Sequence, residues 1–199
     1  DSFKVSSVDV NGMDLSFIHK ENKIKINNPY FDLNKTHKVQ INYSGKPPIA
    51  KNPPWSGGFS WEKSKEGRPW IAVSCQLNGA HIWYPCKEHP SDKPDSADIV
   101  VTVPDPLIAV SNGLLISKKK NRDKTTTWHW KTRYSISTYN INVTVGNFDV
   151  VKKTGYVLGE PLDIAYYYLP EVKNGSVELI NAAEEYLNFY AETFCQYPW

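Results

Sequence analysis

The sequence predicts a mainly β fold, an antiparallel sandwich followed by one α-helix. Three observations carry this expectation. Short segments with a two-residue apolar period recur up to about residue 168, divided by Asn-Gly pairs, prolines and glycines. Aromatic residues make up 13% of the 199 residues, with 7 Trp and 12 Tyr, and such side chains pack well on pleated surfaces. Residues 176–194 then break the pattern, holding no proline or glycine and being rich in Ala, Glu and Leu.

The elements follow in order. Residues 3–10 alternate loosely, and Asn11-Gly12 suits a type I′ hairpin turn because both residues tolerate positive φ. Segments 23–26 and 38–43 keep the two-residue period. Segment 68–76 carries Trp70, Ile71, Val73 and Cys75 as a further strand. Segment 97–103 is another, and 107–110 leads into Asn112-Gly113, a second hairpin signal. In 127–132 Trp128 and Trp130 alternate with His129 and Lys131, which puts both indoles on one sheet face. Residues 139–151 are the longest strand-like stretch. Segments 47–59 and 85–95 are proline-rich and read as surface connections, since proline cannot donate to a central ladder. In the last segment Val177, Ile180, Ala183, Leu187, Tyr190 and Phe194 recur at helical spacing. Leu179, Ala182, Tyr186 and Phe189 form a second apolar stripe, and Glu178, Asn181, Glu185, Asn188 and Glu192 a polar one. Ser176 is the expected N-cap and Pro198 the expected stop.

Composition excludes several classes. A chain that is 40% hydrophobic and 22% charged can bury enough apolar surface to fold. A net charge of +2, from 23 basic and 21 acidic residues, lacks the positive surface that nucleic acid binding needs. The basic run from Lys118 to Lys124 reads as a solvated hairpin tip. No apolar run approaches the roughly 18 residues of a membrane-spanning helix. Asp1-Ser2-Phe3-Lys4 has no signal-peptide pattern, although a chain that does not begin with Met can already have been trimmed. Three cysteines do not make a disulfide framework.

Read residue by residue, the chain carries no complete catalytic constellation. None of its five histidines is spaced four from another, so a helical His-x-x-x-His zinc pair is missing. Cys86 with His89, joined by His81 and Cys75, is the best local metal candidate. It offers one tight ligand pair where a structural zinc site has two, and reads better as buried thiols and surface histidines. Asp92, Asp95 and Asp98 lie in a proline-rich segment without the other features of a calcium loop. No Gly-x-Ser-x-Gly elbow and no phosphate loop occur.

The block from Trp70 to Ser91 adds a resemblance. Gln76 stands nine residues before Pro85-Cys86, and Pro90-Ser91 follows. This spacing resembles the N-terminal domain of M1-family zinc aminopeptidases, the group of aminopeptidase N and leukotriene A4 hydrolase. Segments 97–103 and 107–113 are similar to the family's strand, Val-Pro, strand, Ser-Asn-Gly continuation. Residues 194–199, Phe-Cys-Gln-Tyr-Pro-Trp, resemble the element that ends the first helix of the catalytic domain, with Cys195 in place of the usual Gly.

The resemblance implies a saddle-like β-sandwich over residues 1–168 and the start of the catalytic domain over 169–199. It implies zinc in the full-length enzyme, with the exopeptidase strand, the His-Glu-x-x-His helix and the transition-state Tyr all outside this chain. It also implies that Gln76 lines the substrate site near the free amine, where its amide oxygen can accept a hydrogen bond from the ammonium group. The partners so implied are the catalytic domain of the same polypeptide and a peptide N-terminus. With no catalytic domain against it, the last helix is expected to leave an apolar surface exposed, to fray, or to pair with a second copy. Two other readings stay open: a non-enzymatic relative serving as a scaffold or peptide-binding domain, and a carbohydrate-binding sandwich using Trp128 and Trp130. Residue preference and compartment, cytoplasmic or exported, stay open as well.

Overall fold

A computed structural model describes residues 2–27, 31–75 and 79–197. Its strands are β1 (Phe3–Val10), β2 (Met13–Asp14), β3 (Phe17–Lys20), β4 (Lys23–Ile26), β5 (Val39–Gly45), β6 (Gly58–Lys63) and β7 (Pro69–Ser74), then β8 (Ala97–Pro104), β9 (Ile108–Ser111), β10 (Leu114–Lys120), β11 (Thr125–Thr132), β12 (Val143–Gly146), β13 (Asp149–Val157) and β14 (Glu160–Tyr168). One helix follows, α1 (Lys173–Thr193). Pairing is antiparallel in every sheet of the described residues: β2-β1-β5, β10-β11-β8, β6-β7-β12-β9, and the hairpins β13-β14 and β3-β4. The expected fold class, mainly β with a C-terminal helix, is the one found.

The core lies between two of these sheets. β8 and β11 present Ile99, Val103, Trp128 and Trp130, and β9 and β12 oppose them with Ala109, Val143 and Val145. The two indoles are 4% and 5% exposed, so the alternation read in the sequence marks a core face. Trp130 Nε1 donates to the Ala109 carbonyl at 2.9 Å, tying the facing sheets together while satisfying a buried polar group.

Local signals held where the turn chemistry was strong. Asn11 and Gly12 take φ of 55° and 86° and join β1 to β2, as a type I′ turn requires. The basic run forms the tip between β10 and β11. Asn112-Gly113 is a correction, because the strands on either side, β9 and β10, belong to different sheets. That turn is a crossover; the Asn112 side chain accepts the Asn142 N–H at 2.8 Å and so links it to the chain entering β12. Segment 139–151 is also corrected. It is a 3₁₀ turn at Thr138–Asn140, then β12, then a separate strand β13 that leaves for its own hairpin.

The helix begins three residues before its expected cap. A 3₁₀ turn at Pro170–Val172 leads into it, with proline at the helix-compatible start. Ser176 is therefore inside the helix, buried, and its hydroxyl donates back to the Val172 carbonyl at 3.0 Å. The expected stop, Pro198, lies outside the described residues; the helix ends at Thr193, where Phe194 N–H donates to the Tyr190 carbonyl at 2.9 Å.

The helix packs on the β13-β14 hairpin. Ser176, Ile180 and Ala191 are buried along that face. Asn188, expected on the polar stripe, instead turns to the hairpin: its Nδ2 donates to the Tyr156 carbonyl at 2.7 Å and its Oδ1 accepts the Leu158 N–H at 2.8 Å. Glu184 joins it, accepting the Tyr156 N–H at 2.8 Å and pairing with Lys153 at 2.7 Å. The first apolar stripe is thus divided, with Ile180 buried and Val177, Tyr190 and Phe194 exposed. The second stripe stands outward: Leu179, Tyr186 and Phe189 are more than half exposed, and with Tyr190 they form one apolar arc at helical spacing.

Candidate functional site

The block that carried the resemblance is built around β7. This strand is central, paired with β6 on one side and β12 on the other, so its end is fixed in space. Cys75 follows it and is 5% exposed. Gln76, the expected substrate-binding residue, lies outside the described residues, as do Leu77 and Asn78. The residues on either side are placed. Gly79 N–H donates to the Cys75 carbonyl at 2.7 Å. Ala80–Ile82 then make a 3₁₀ turn, and Trp83 and Tyr84 run on to Pro85-Cys86.

Aromatic packing and hydrogen bonds hold this connection against the sheets. Trp83 meets Tyr84 at 4.6 Å and Phe59 at 6.2 Å between ring centroids, both edge to face. Tyr43 donates to the Trp83 carbonyl at 3.0 Å, and Tyr84 to the Thr138 carbonyl at 2.9 Å. Burial pushes both phenols above their ordinary value, so both stay protonated donors.

Burial first, and then the nearby Glu88 charge, push the Cys86 thiol up to about 12. Burial raises Cys75 as well. The thiolate is the nucleophile and the metal ligand, so both cysteines are poor in either role near neutral pH. His81 and Glu88 pair with each other, and His89 Nδ1 bonds the Ser91 hydroxyl at 2.7 Å. Both histidines weighed as metal candidates thus already have a hydrogen-bond partner. Among the described residues no three His, Cys, Asp or Glu side chains converge to hold an ion. Asp92 pairs with Lys87, and Asp98 with His129 at 2.6 Å and Lys131 at 2.9 Å, so the Asp92, Asp95 and Asp98 series does not gather either.

Glu88 is the feature that sequence reasoning missed. Its Oε1 accepts the His81 N–H at 2.6 Å, and its Oε2 bonds His81 Nδ1. The Cys86 thiol donates weakly to Oε1 at 3.9 Å. Gly79 has φ of 85°, a conformation that favours glycine, and a Cβ there would push the Glu88 carboxylate aside. The signal available in the sequence was a carboxylate between Pro85-Cys86 and Pro90, nine residues after a glycine.

A family model for the Peptidase M1 N-terminal domain matches residues 3–140. The chain belongs to that family. Solved structures agree in fold. An M1 zinc metallopeptidase from Deinococcus radiodurans superimposes with a TM-score of 0.79 at 20% identity, over 98% of this chain and 44% of its own. A two-domain M1 zinc metallopeptidase bound to L-arginine gives 0.78 at 20% identity, over 98% and 44%. Native yeast LTA4 hydrolase gives 0.73 at 17% identity, over 100% of this chain and 30% of its own. The M1 domain described here thus spans less than half the length of the solved structures it matches. No curated protein matches it in sequence.

The described residues do not fit the zinc ion that the names of the two metallopeptidases carry, since no ligand set is assembled among them. The carbohydrate reading loses its platform, because Trp128 and Trp130 are interior. No helix of the described residues is long and apolar enough to cross a membrane.

Proposed function

We propose that this chain is the N-terminal β domain of a zinc metallo-aminopeptidase, which removes N-terminal residues from peptides. Residues 1–168 form the β domain, and 169–199 open the catalytic domain of the same polypeptide. That catalytic domain supplies the zinc ligands and the general base. The observation that carries the reading is the family match over residues 3–140, supported by fold likeness that runs on through α1. A zinc ion held there would supply Lewis-acid polarisation of the scissile carbonyl and a lowered pKa for the attacking water. This chain's own part is to wall one side of the substrate site and to present Gln76, whose amide oxygen accepts a hydrogen bond from the substrate ammonium. The apolar arc of Leu179, Tyr186, Phe189 and Tyr190 is the side of α1 that the rest of the catalytic domain covers.

Two assays test this. The 199-residue chain alone should hold no stoichiometric zinc after dialysis and hydrolyse no aminoacyl anilide, whereas the full-length polypeptide should do both. In the latter, Gln76→Ala should lower kcat/KM roughly tenfold or more, as the loss of a hydrogen bond to a charged group predicts. Zinc-dependent turnover by the isolated chain would overturn the proposal. A full-length polypeptide without turnover would favour the scaffold reading.

A further inference from the structure

The hairpin of β3 and β4 leaves a strand edge open beside a cavity of about 560 Å³. β4 pairs with β3 alone among the described strands. Glu21 and Asn22, which join them, take φ of 54° and 56°, as a two-residue type I′ turn requires. In such a hairpin the closing pair, Lys20 with Lys23, exchanges both backbone bonds, and so does every second pair beyond it. Ile18 with Lys25 is the next, and the Asn27 N–H keeps the alternation by donating to the Ser16 carbonyl at 3.2 Å. The N–H and C=O groups of Ile24 and Ile26 therefore point away from β3, and no backbone partner meets them among the described residues.

The cavity runs along this edge. All of Lys23–Ile26 line it, together with Phe3 and Val5 of β1, Ile41 and Tyr43 of β5, and Tyr84. No Asp or Glu belongs to its lining. Ile24 and Ile26 stand half-buried on one face of the hairpin, and Lys23 and Lys25 stand exposed on the other. Neither lysine pairs with a carboxylate among the described residues. We propose that this edge docks an extended acidic peptide segment of another protein, which adds a strand to β4 and alternates apolar with acidic side chains. Its backbone pairs with the free groups of Ile24 and Ile26, and its apolar side chains enter the cavity against Phe3, Val5 and Ile41. Its carboxylates, on the opposite face, meet Lys23 and Lys25 across the new ladder. A second copy of this chain is a poor occupant, because β4 laid against β4 sets lysine beside lysine, the device by which edge strands refuse self-pairing.

The test titrates the 199-residue chain with a synthetic hexapeptide that alternates Glu and Val and is blocked at both ends, so that it offers no free amine. At saturation, hydrogen exchange at the Ile24 and Ile26 amides should slow about tenfold or more, while the Lys23 and Lys25 amides, already bonded to β3, change little. Alternate amides of the peptide can be N-methylated in two frames. One frame should weaken binding about tenfold or more, and the other should stay within about twofold of the parent peptide. Lys23→Glu/Lys25→Glu changes two exposed side chains and should leave the melting temperature nearly unmoved. It should weaken the Glu-Val peptide about tenfold or more and strengthen a Lys-Val peptide that the parent chain rejects.

Unchanged exchange at Ile24 and Ile26 with about 1 mM peptide present would overturn the proposal. So would two N-methylated frames that both bind like the parent peptide, since the backbone would then take no part. Equal affinity for the Glu-Val and Lys-Val peptides would overturn the acidic partner. Protection of the same two amides that rises with protein concentration in the absence of peptide would give the edge to a second copy and overturn it too.

Discussion

Replacing Asn188 with Ala isolates the contact between α1 and the β13-β14 hairpin. Asn188 makes two bonds across that contact, donating to the Tyr156 carbonyl at 2.7 Å and accepting the Leu158 N–H at 2.8 Å. A third, from its Nδ2 to the Glu184 carbonyl at 3.0 Å, stays within the helix. Each crossing bond is worth about 0.5–1.5 kcal/mol net. Tyr156 and Leu158 are both exposed, so water takes over the freed backbone groups and no burial penalty is added. The expected loss is therefore about 1–3 kcal/mol, or a rise in local opening from about 5-fold to about 150-fold. Hydrogen exchange reads this directly. The Leu158 amide and the α1 amides should lose protection together, while the Trp128 and Trp130 amides in β11 keep theirs. Unchanged protection at Leu158 and along α1 would refute the claim that this side chain docks the helix.

Other consequences are as direct. Ile180→Ala, at a position 3% exposed against the hairpin, should cost about 2–4 kcal/mol in thermal or urea unfolding. Phe189→Glu, on the open arc, should stay within about 0.5 kcal/mol and should weaken any self-association of the isolated chain seen by size-exclusion chromatography. The Lys153 ammonium, and after it the Tyr156 N–H, hold the Glu184 carboxyl below its ordinary value. A depressed folded-state acid stabilises above its unfolded pKa and loses that contribution as pH falls through the folded one. Protection of α1 should thus drop on acidification below the usual carboxylate range, and Glu184→Gln should flatten that dependence. Cys195 is exposed, whereas Cys75 is buried and Cys86 partly so, with both of their thiols raised. A thiol reagent at neutral pH should meet one fast group, and three after denaturation; a count of one after denaturation would mean that Cys75 and Cys86 are joined.

The sequence by itself determined the fold class, the family and about half of the strand positions. These rest on local chemistry. The Asn11-Gly12 turn needs only two residues that accept positive φ, and the Trp128/Trp130 alternation needs only the two-residue strand period. The spacing from Gln76 to Pro85-Cys86 is linear by nature and points to the family without coordinates. Partner choice between distant segments was decided by tertiary structure. Asn112-Gly113 has hairpin chemistry, yet β9 and β10 part to different sheets because β9 has β12 to pair with and β10 has β11. The β13-β14 turn gives the opposite case. Leu158 adopts φ of 51°, which its side chain disfavours, and the bond from its N–H to Asn188, 30 residues on, supports it there. The same holds for α1, whose stripes followed from periodicity while the side that turns inward depended on a hairpin the sequence did not announce. Glu88 belongs with these. Its residue type was visible, but its meeting with Gly79 and His81 required the fold, because hydrogen bonds join atoms near in space and sequence order constrains that nearness only within a turn or a single element.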